Sequence, residues 1–476
     1  MKSKTRLSTF KIPAVIIAIL YIFVTSGTSF ASFTIKDEKI LGKEFYEKLK
    51  GRGVFVTNPK ANEYIDRIGH LLLSHGRRPL FDFTFSIIDS SGINAFATPG
   101  GYVYIYSGLI ELTENEDQLA GVLAHEIGHI KARHIAQTIE DSKKINIATI
   151  AAILAGAFLG GSSEMSAAVA SFSMATATTL NLKYSREHEE EADRLGMSYL
   201  VQTGYNGEGM LDFLKIMRKY EFYSSFIPSY FLTHPGTGDR IMYLDGLLQT
   251  RYTKGGAESI IGGLDRIKTT LVLDRKDPNS SLKYFQNVLK KDPTDPDALY
   301  GLAVIQGKLG NTIESFDSFR RALSLSPDDA GILRDLGIRY FNLGNMPDAI
   351  KTLKKAHSID KKDAETTLYL GRACETTGDY NTALKLYKEF KKNNPDDIQV
   401  YYNLAMQYGK INMPGESHYN FGIFFKKRDK LKSALFHFKA AQTIFPPGGK
   451  MADKISKEID SIEKHPESAE ENHTND

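Results

Sequence analysis

The sequence predicts an α+β fold, a mainly helical domain with a small sheet, followed by an all-α solenoid of repeated helical hairpins. Three observations predict it. From about residue 256 small and apolar residues recur with a step of 34; "GGYVYIYSG" alternates Tyr102, Tyr104 and Tyr106 with Val103 and Ile105; and "LAHEIGHIKARH", Leu123 to His134, sets two histidines four residues apart in a helix-like segment. At 476 residues there is room for two or more domains, and 42% apolar with 25% charged residues is the balance of an ordinary globular chain rather than a disordered one.

The elements follow in chain order. Lys2, Lys4, Arg6 and Lys11 precede an apolar run from Ile12 to Val24, and small residues at Ser29 to Ala31 suit a signal peptidase, so residues 1–31 read as a cleaved secretory leader. An uncleaved anchor is the rival, but the run is shorter than the roughly 20 residues a span needs. No cysteine follows the run, which argues against a lipoprotein. Loss of the leader removes four positive charges and takes the formal net charge from +3 to −1, leaving no overall attraction to nucleic acid. The lone Cys374 permits no intramolecular disulfide. A secreted chain of this size without disulfides fits the bacterial periplasm.

Residues 32–255 mix helical and strand-like patterns without a repeat. The tyrosine alternation predicts a strand with two distinct faces. It is either a free edge to which an extended peptide adds or an internal strand of the sheet. Residues 145–180 hold two short apolar stretches, "INIATIAAILAGAFL" and "AAVASFSMATATTL", around the breaker "GGSSE". They predict a helical pair that packs on the domain, with peripheral contact to a membrane or partner as the alternative.

Residues 256–462 carry the repeat. Ser315, Phe319, Ala322 and Pro327 occupy the small, aromatic, alanine and proline positions of a tetratricopeptide repeat. One step of 34 onward gives Ala349, Leu353, Ala356 and Lys361; a second gives Ala383, Tyr387, Phe390 and Pro395; one step back gives Ser281, Phe285, Val288 and Pro293. The partner helices keep phase at Leu302, Leu336 and Leu370. A last unit (Gly422, Ala434, Phe438, Ala441, Pro446) is displaced by 51, so an extra helical segment beginning "QVYYNLAMQYGK" is expected to interrupt the array. Stacked hairpins form a solenoid whose concave surface binds partners or, alternatively, braces the first domain. The polar tail, 463–476, is expected to be disordered.

The chemistry lies in the histidine segment. Residues i and i+4 share a helix face, so His125 and His129 can hold one ion while Glu126 reaches its water, the zincin arrangement. Two protein ligands are too few for a catalytic site. The third is sought in "YSREHEEEADRLG", where Glu189 and Asp193 are again i and i+4: Glu189 can reach the metal and Asp193 can accept an N–H from a ligating histidine. Spacing alone does not choose among His188, Glu189, Glu190 and Glu191. Without the upstream histidines the run is a solvated helix face.

"HEIGH" with "YSREHEEEAD", "INAFATPGGYVYIYSGLI" and "THPGTGDRI" resembles the zinc metallopeptidases related to the CAAX prenyl protease and HtpX, and among them, given the leader and the repeats, the β-barrel assembly-enhancing proteases. The resemblance implies one Zn2+ held by His125, His129 and Glu189, with Glu126 as catalytic base and Asp193 behind the ligands. It further implies that His234 lies beside the metal, closing the site at rest or facing an oxyanion, with Arg240 near it as an anchor or charge stabiliser. Protein clients are implied as well, outer-membrane β-barrel proteins and their assembly machinery, with chaperone-like holding beside proteolysis. The rivals are a proteolytically silent repeat scaffold and a membrane-anchored protease.

Overall fold

The structure, a computed structural model, describes residues 33–75, 79–141, 150, 154, 184–223, 228–252 and 255–464. The expected leader, all of the apolar pair at 145–180 but Ile150 and Leu154, and the tail from 465 lie outside these residues. Among the described residues no helix is long and apolar enough to cross a membrane. The chain divides into two units, 1–271 and 272–476.

In the first unit α1 (Ile35–Gly51) starts at a reciprocal cap between Thr34 and Asp37, and α2 (Pro59–Leu73) at Asn58, whose side chain takes the N–H groups of Lys60 and Ala61. Three strands follow, β1 (Thr84–Ile88), β2 (Ala95–Thr98) and β3 (Tyr102–Tyr106). Their order is β1-β3-β2, with β3 parallel to β1 and antiparallel to β2. The tyrosine strand is therefore central and cannot be the free edge. Its alternation separates two apolar cores rather than core from water: Val103 and Ile105 join Phe85, Ile87, Ala95 and Ala97 on one face. Tyr104 and Tyr106 join Phe96, Ile88 and the α1 residues Leu41, Phe45 and Leu49 on the other. Ile150 and Leu154 are buried in this second core, so these two residues of the apolar pair pack inward.

Among the described residues, helices α3 (Ser107–Leu112), α4 (Glu116–Ala132), α5 (His134–Asp141), α6 (Arg186–Gln202), α7 (Glu208–Tyr223), α8 (Tyr230–Thr233) and α9 (Thr237–Thr250) follow, and then α10 (Leu264–Arg275), whose residues to Leu271 belong to this unit. Helix α4 is buried from Glu116 to Ile130, the environment of a core helix, so its polar side chains need partners.

Glu116 holds the stretch that follows residue 255 to this unit. This buried carboxylate at the start of α4 accepts hydrogen bonds from Tyr64 Oη (2.9 Å), Tyr205 Oη (2.7 Å), Ser259 Oγ (3.1 Å) and the backbone N–H groups of Ile260 (2.8 Å), Ile261 (2.7 Å) and Gly262 (2.7 Å). It ties 259–262 to the domain, and Leu264, Ile267 and Leu271 then enter its core. Burial pushes the Glu116 carboxyl up, but the amide and hydroxyl donors outweigh it and leave its pKa below the ordinary 4.5. Glu116→Ala strands these donors and is expected to cost roughly 3 kcal/mol of stability in denaturant unfolding. Because the folded pKa is depressed, the contribution is complete above about pH 4.5 and is lost as pH falls through the folded value. A deficit independent of pH would contradict this account.

The second unit contains α11 (Pro278–Lys291), α12 (Pro296–Lys308), α13 (Thr312–Leu325), α14 (Ala330–Asn342), α15 (Met346–Ile359), α16 (Ala364–Thr376), α17 (Tyr380–Asn393), α18 (Gln399–Lys410), α19 (Pro414–Lys427), α20 (Leu431–Ile444) and α21 (Lys450–Glu463). The expected interruption is absent among these helices. Starts at Pro278, Thr312, Met346, Tyr380 and Pro414 keep the step of 34. In α19, Ser417 donates to Ala405 O (2.8 Å) as Ser315 donates to Ala303 O (2.7 Å), so α18 and α19 pair as the two helices of a repeat. Yet Gly422 of α19 lies against Phe438 of α20 as Gly371 lies against Tyr387, the contact of a first helix with its second. Helix α19 serves both neighbours. The displacement of 51 is one and a half repeats, a half-step along a continuous array.

Candidate metal centre

Helix α4 carries His125, Glu126 and His129, and α6 carries Glu189 and Asp193. The helices meet at two glycines: a Cβ on Gly128 would lie 2.6 Å from Ala192 O, and one on Gly196 would lie 2.9 Å from Ala124 C. This backbone approach lets a single glutamate side chain reach both imidazoles.

The Nε2 atoms of His125 and His129 stand 3.0 Å apart. Glu189 Oε2 is 3.5 Å from His125 Nε2, and Glu189 Oε1 is 3.4 Å from His129 Nε2. His234, which follows α8, brings Nδ1 to 3.0 Å from Glu189 Oε1 and 3.4 Å from His125 Nε2. One donor atom from each of the four residues lies within 4.8 Å of the others, and all four residues are buried. His188, Glu190 and Glu191, the other candidates of the run, do not join this group.

Behind it stand Asp193 and Arg240. His125 Nδ1 donates to Asp193 Oδ1 (2.8 Å), which turns Nε2 toward the group. Arg240, on α9, is buried and grips Asp193 through Nε (2.8 Å) and Nη2 (2.7 Å) while Nη1 reaches Glu189 Oε2 (2.7 Å). Burial raises both carboxyl pKa values, but Arg240 and the histidines outweigh it and hold Glu189 well below, and Asp193 below, the usual carboxylate range. For His125, burial and Arg240 oppose protonation, and Asp193 and Glu189 overcome them, raising it to about 9. Burial drives His129 well below its ordinary value.

Glu126 is fully buried with no partner for either oxygen, and burial raises its pKa. His234 Nε2 lies 3.5 Å from Glu126 Oε1, beyond a hydrogen bond, and is likewise unpartnered. Orphaned oxygens in a dry core are costly unless water or an ion completes them. Three imidazoles and a carboxylate converging on one point, with an unsatisfied carboxylate beside them, fit a nitrogen- and oxygen-binding divalent metal.

Sequence reasoning missed the walls and one support. Tyr184 stacks on His129 with ring centroids 3.8 Å apart, and Tyr230 stacks on His234 at 4.4 Å. His134, in the same segment as the two histidines, is buried with Nδ1 2.9 Å from His129 Nδ1. Its place in "HEIGHIKARH" was the available signal.

Residues 59–248 match the family described as Peptidase family M48, and residues 284–316 and 343–406 match tetratricopeptide repeats. The chain is similar to the Beta-barrel assembly-enhancing protease of Escherichia coli (strain K12), 34% identical over 212 residues, which covers 44% of this chain and 43% of that protein. A Vibrio cholerae protein provisionally given the same name is 37% identical over 213 residues, covering 44% of each chain. Mitochondrial metalloendopeptidase OMA1 of Schizosaccharomyces pombe is 24% identical over 237 residues, covering 49% of this chain and 68% of that protein. The match spans less than half the length of the two bacterial relatives.

Proposed function

From a chain that carries a Peptidase family M48 domain at residues 59–248 followed by tetratricopeptide repeats, we propose a zinc-dependent endopeptidase whose repeat unit recruits protein clients. The observation that carries this reading is the buried convergence of His125, His129, Glu189 and His234 beside an unpartnered Glu126. His125, His129 and Glu189 are the zinc ligands. Zinc held there would supply Lewis-acid polarisation of a scissile carbonyl and would bring the pKa of water toward about 7. Glu126 takes a proton from the attacking water and returns it to the leaving amine. Asp193 fixes the His125 ring, and Arg240 anchors Asp193 and Glu189. The 3.0 Å approach of His234 to Glu189 supports a role as the remaining donor at rest, displaced when substrate enters. Among the described residues β2 is an edge strand, and an extended peptide can add to it through backbone hydrogen bonds.

The leader-like sequence at 1–31 supports a periplasmic site of action. The names of the bacterial relatives, which speak of β-barrel assembly, together with the resemblance given above, support outer-membrane β-barrel proteins and their assembly machinery as clients, with the repeat surface able to hold a client uncut. The direct test is digestion of an unfolded protein by the purified full chain. Cleavage is expected to stop after chelation and to return with added zinc. Undiminished cleavage after complete removal of metal would reject the reading.

A further inference from the structure

We propose that His134, backed by Glu191, is a positioning residue that fixes the tautomer and direction of the His129 ring so that its Nε2 faces the metal. The inference rests on the metallopeptidase reading above and adds to it a second support of different chemistry from the Asp193 support of His125.

Glu191 Oε2 lies 3.3 Å from His134 Nε2. A carboxylate accepts only, so this contact places a proton on His134 Nε2 and leaves Nδ1 of a neutral ring as an acceptor. That Nδ1 lies 2.9 Å from His129 Nδ1, which must then carry the donating hydrogen. The lone pair of His129 is left on Nε2, the atom 3.0 Å from His125 Nε2 and 3.4 Å from Glu189 Oε1. Hydrogen bonding thus selects the tautomer that a metal needs.

The backbone is bent to permit this. On a continuous helix a residue five positions on points about 140° away. Helix α4 instead ends at Arg133, a non-glycine residue in the left-handed region (φ 60°, ψ 35°), and α5 starts at His134 with its ring turned back onto His129. Such a conformation costs on the order of 1–3 kcal/mol and persists only where its surroundings hold it. Here Arg133 Nε and Nη2 reach Glu38 Oε1 at 2.7 and 2.6 Å, and Nη2 also reaches Phe33 O at 3.2 Å. The His134 ring is clamped from the side by His188, stacked at 4.3 Å. The two ligands therefore have unequal supports. His125 leans on a fully buried carboxylate held by Arg240, whereas His129 leans on an imidazole whose carboxylate is 45% exposed.

Zinc affinity of the full-length protein, measured by competition with a chromophoric chelator, tests the proposal alongside the absorption spectrum with Co2+ bound. His134→Ala is expected to raise the zinc Kd about 10–100-fold and to alter the Co2+ spectrum, with the melting of the metal-free protein little changed. His134→Asn, whose amide oxygen falls where Nδ1 was, is expected to recover most of the affinity. It also carries the test should the alanine variant fail to fold. Zinc binding by His134→Ala at the wild-type affinity overturns the proposal, and so does an asparagine variant that folds but binds as weakly as one lacking His129. If the wild-type protein itself holds no zinc, the metallopeptidase reading fails as well, an outcome distinct from wild-type zinc binding that ignores His134.

Discussion

Replacing Glu126 by glutamine is expected to lower peptide-bond cleavage by about 10²–10⁴-fold, the usual worth of a positioned general base, while zinc stays bound and the fold is kept. The substitution keeps the shape and removes the basicity. Both Glu126 oxygens are buried and unpartnered, so no structural hydrogen bond is lost. Burial raises the Glu126 pKa, which suits a group that takes a proton and gives it back. Zinc stoichiometry and cleavage rate measured on one preparation separate this role from a structural one. A Glu126→Gln protein that cleaves at the wild-type rate would remove Glu126 from the chemistry, and one that loses zinc would make it a ligand.

Arg240→Ala is expected to destabilise the metal-free protein by about 3–5 kcal/mol, because it leaves Asp193 and Glu189 as buried carboxylates without their cation. Zinc should recover part of the loss, since Glu189 would regain a positive partner and binding to the folded state adds stability. Arg240→Lys should rescue poorly, because one ammonium cannot reproduce a fork that holds Asp193 at 2.8 and 2.7 Å and Glu189 at 2.7 Å. The sign with pH is determined. Both carboxyl pKa values are depressed in the folded protein, so the stabilisation is present above the ordinary values of 3.8 and 4.5 and is lost as pH falls through the folded ones. The difference between Arg240→Ala and wild type should therefore be largest near neutrality and shrink in acid. Denaturant unfolding with and without zinc measures it, and a deficit under about 1 kcal/mol without metal would contradict the account.

The sharing of one face by His125 and His129 was legible because helical periodicity alone puts i and i+4 together, with Glu126 one residue further round. Glu189 was less so. Four candidates within one helical turn are equivalent by spacing, and the choice depends on the rotation of α6 against α4, set by contacts at Gly128 and Gly196 that no local pattern announces. The same rotation turns Glu191 to His134. The role of His134 was hidden by the break at Arg133, because an arginine in the left-handed region has no sequence mark of its own and is held by Glu38, 95 residues away. Likewise, alternation along Tyr102–Tyr106 reports two distinct faces, which a buried central strand and an edge strand share. In the solenoid, the step of 34 was plain in the second helices, yet α19 is second helix to one neighbour and first to the next, so its residues read as an insertion. Long-range packing decides what local periodicity leaves open.

Three side chains from two helices are held to share one cation, and the least constrained of them by sequence is Glu189. Metal content of the purified full-length protein beside that of Glu189→Gln measures this directly. One zinc per wild-type chain with little in the variant is the predicted result. Equal zinc in both would move the third ligand elsewhere and contradict the proposed site.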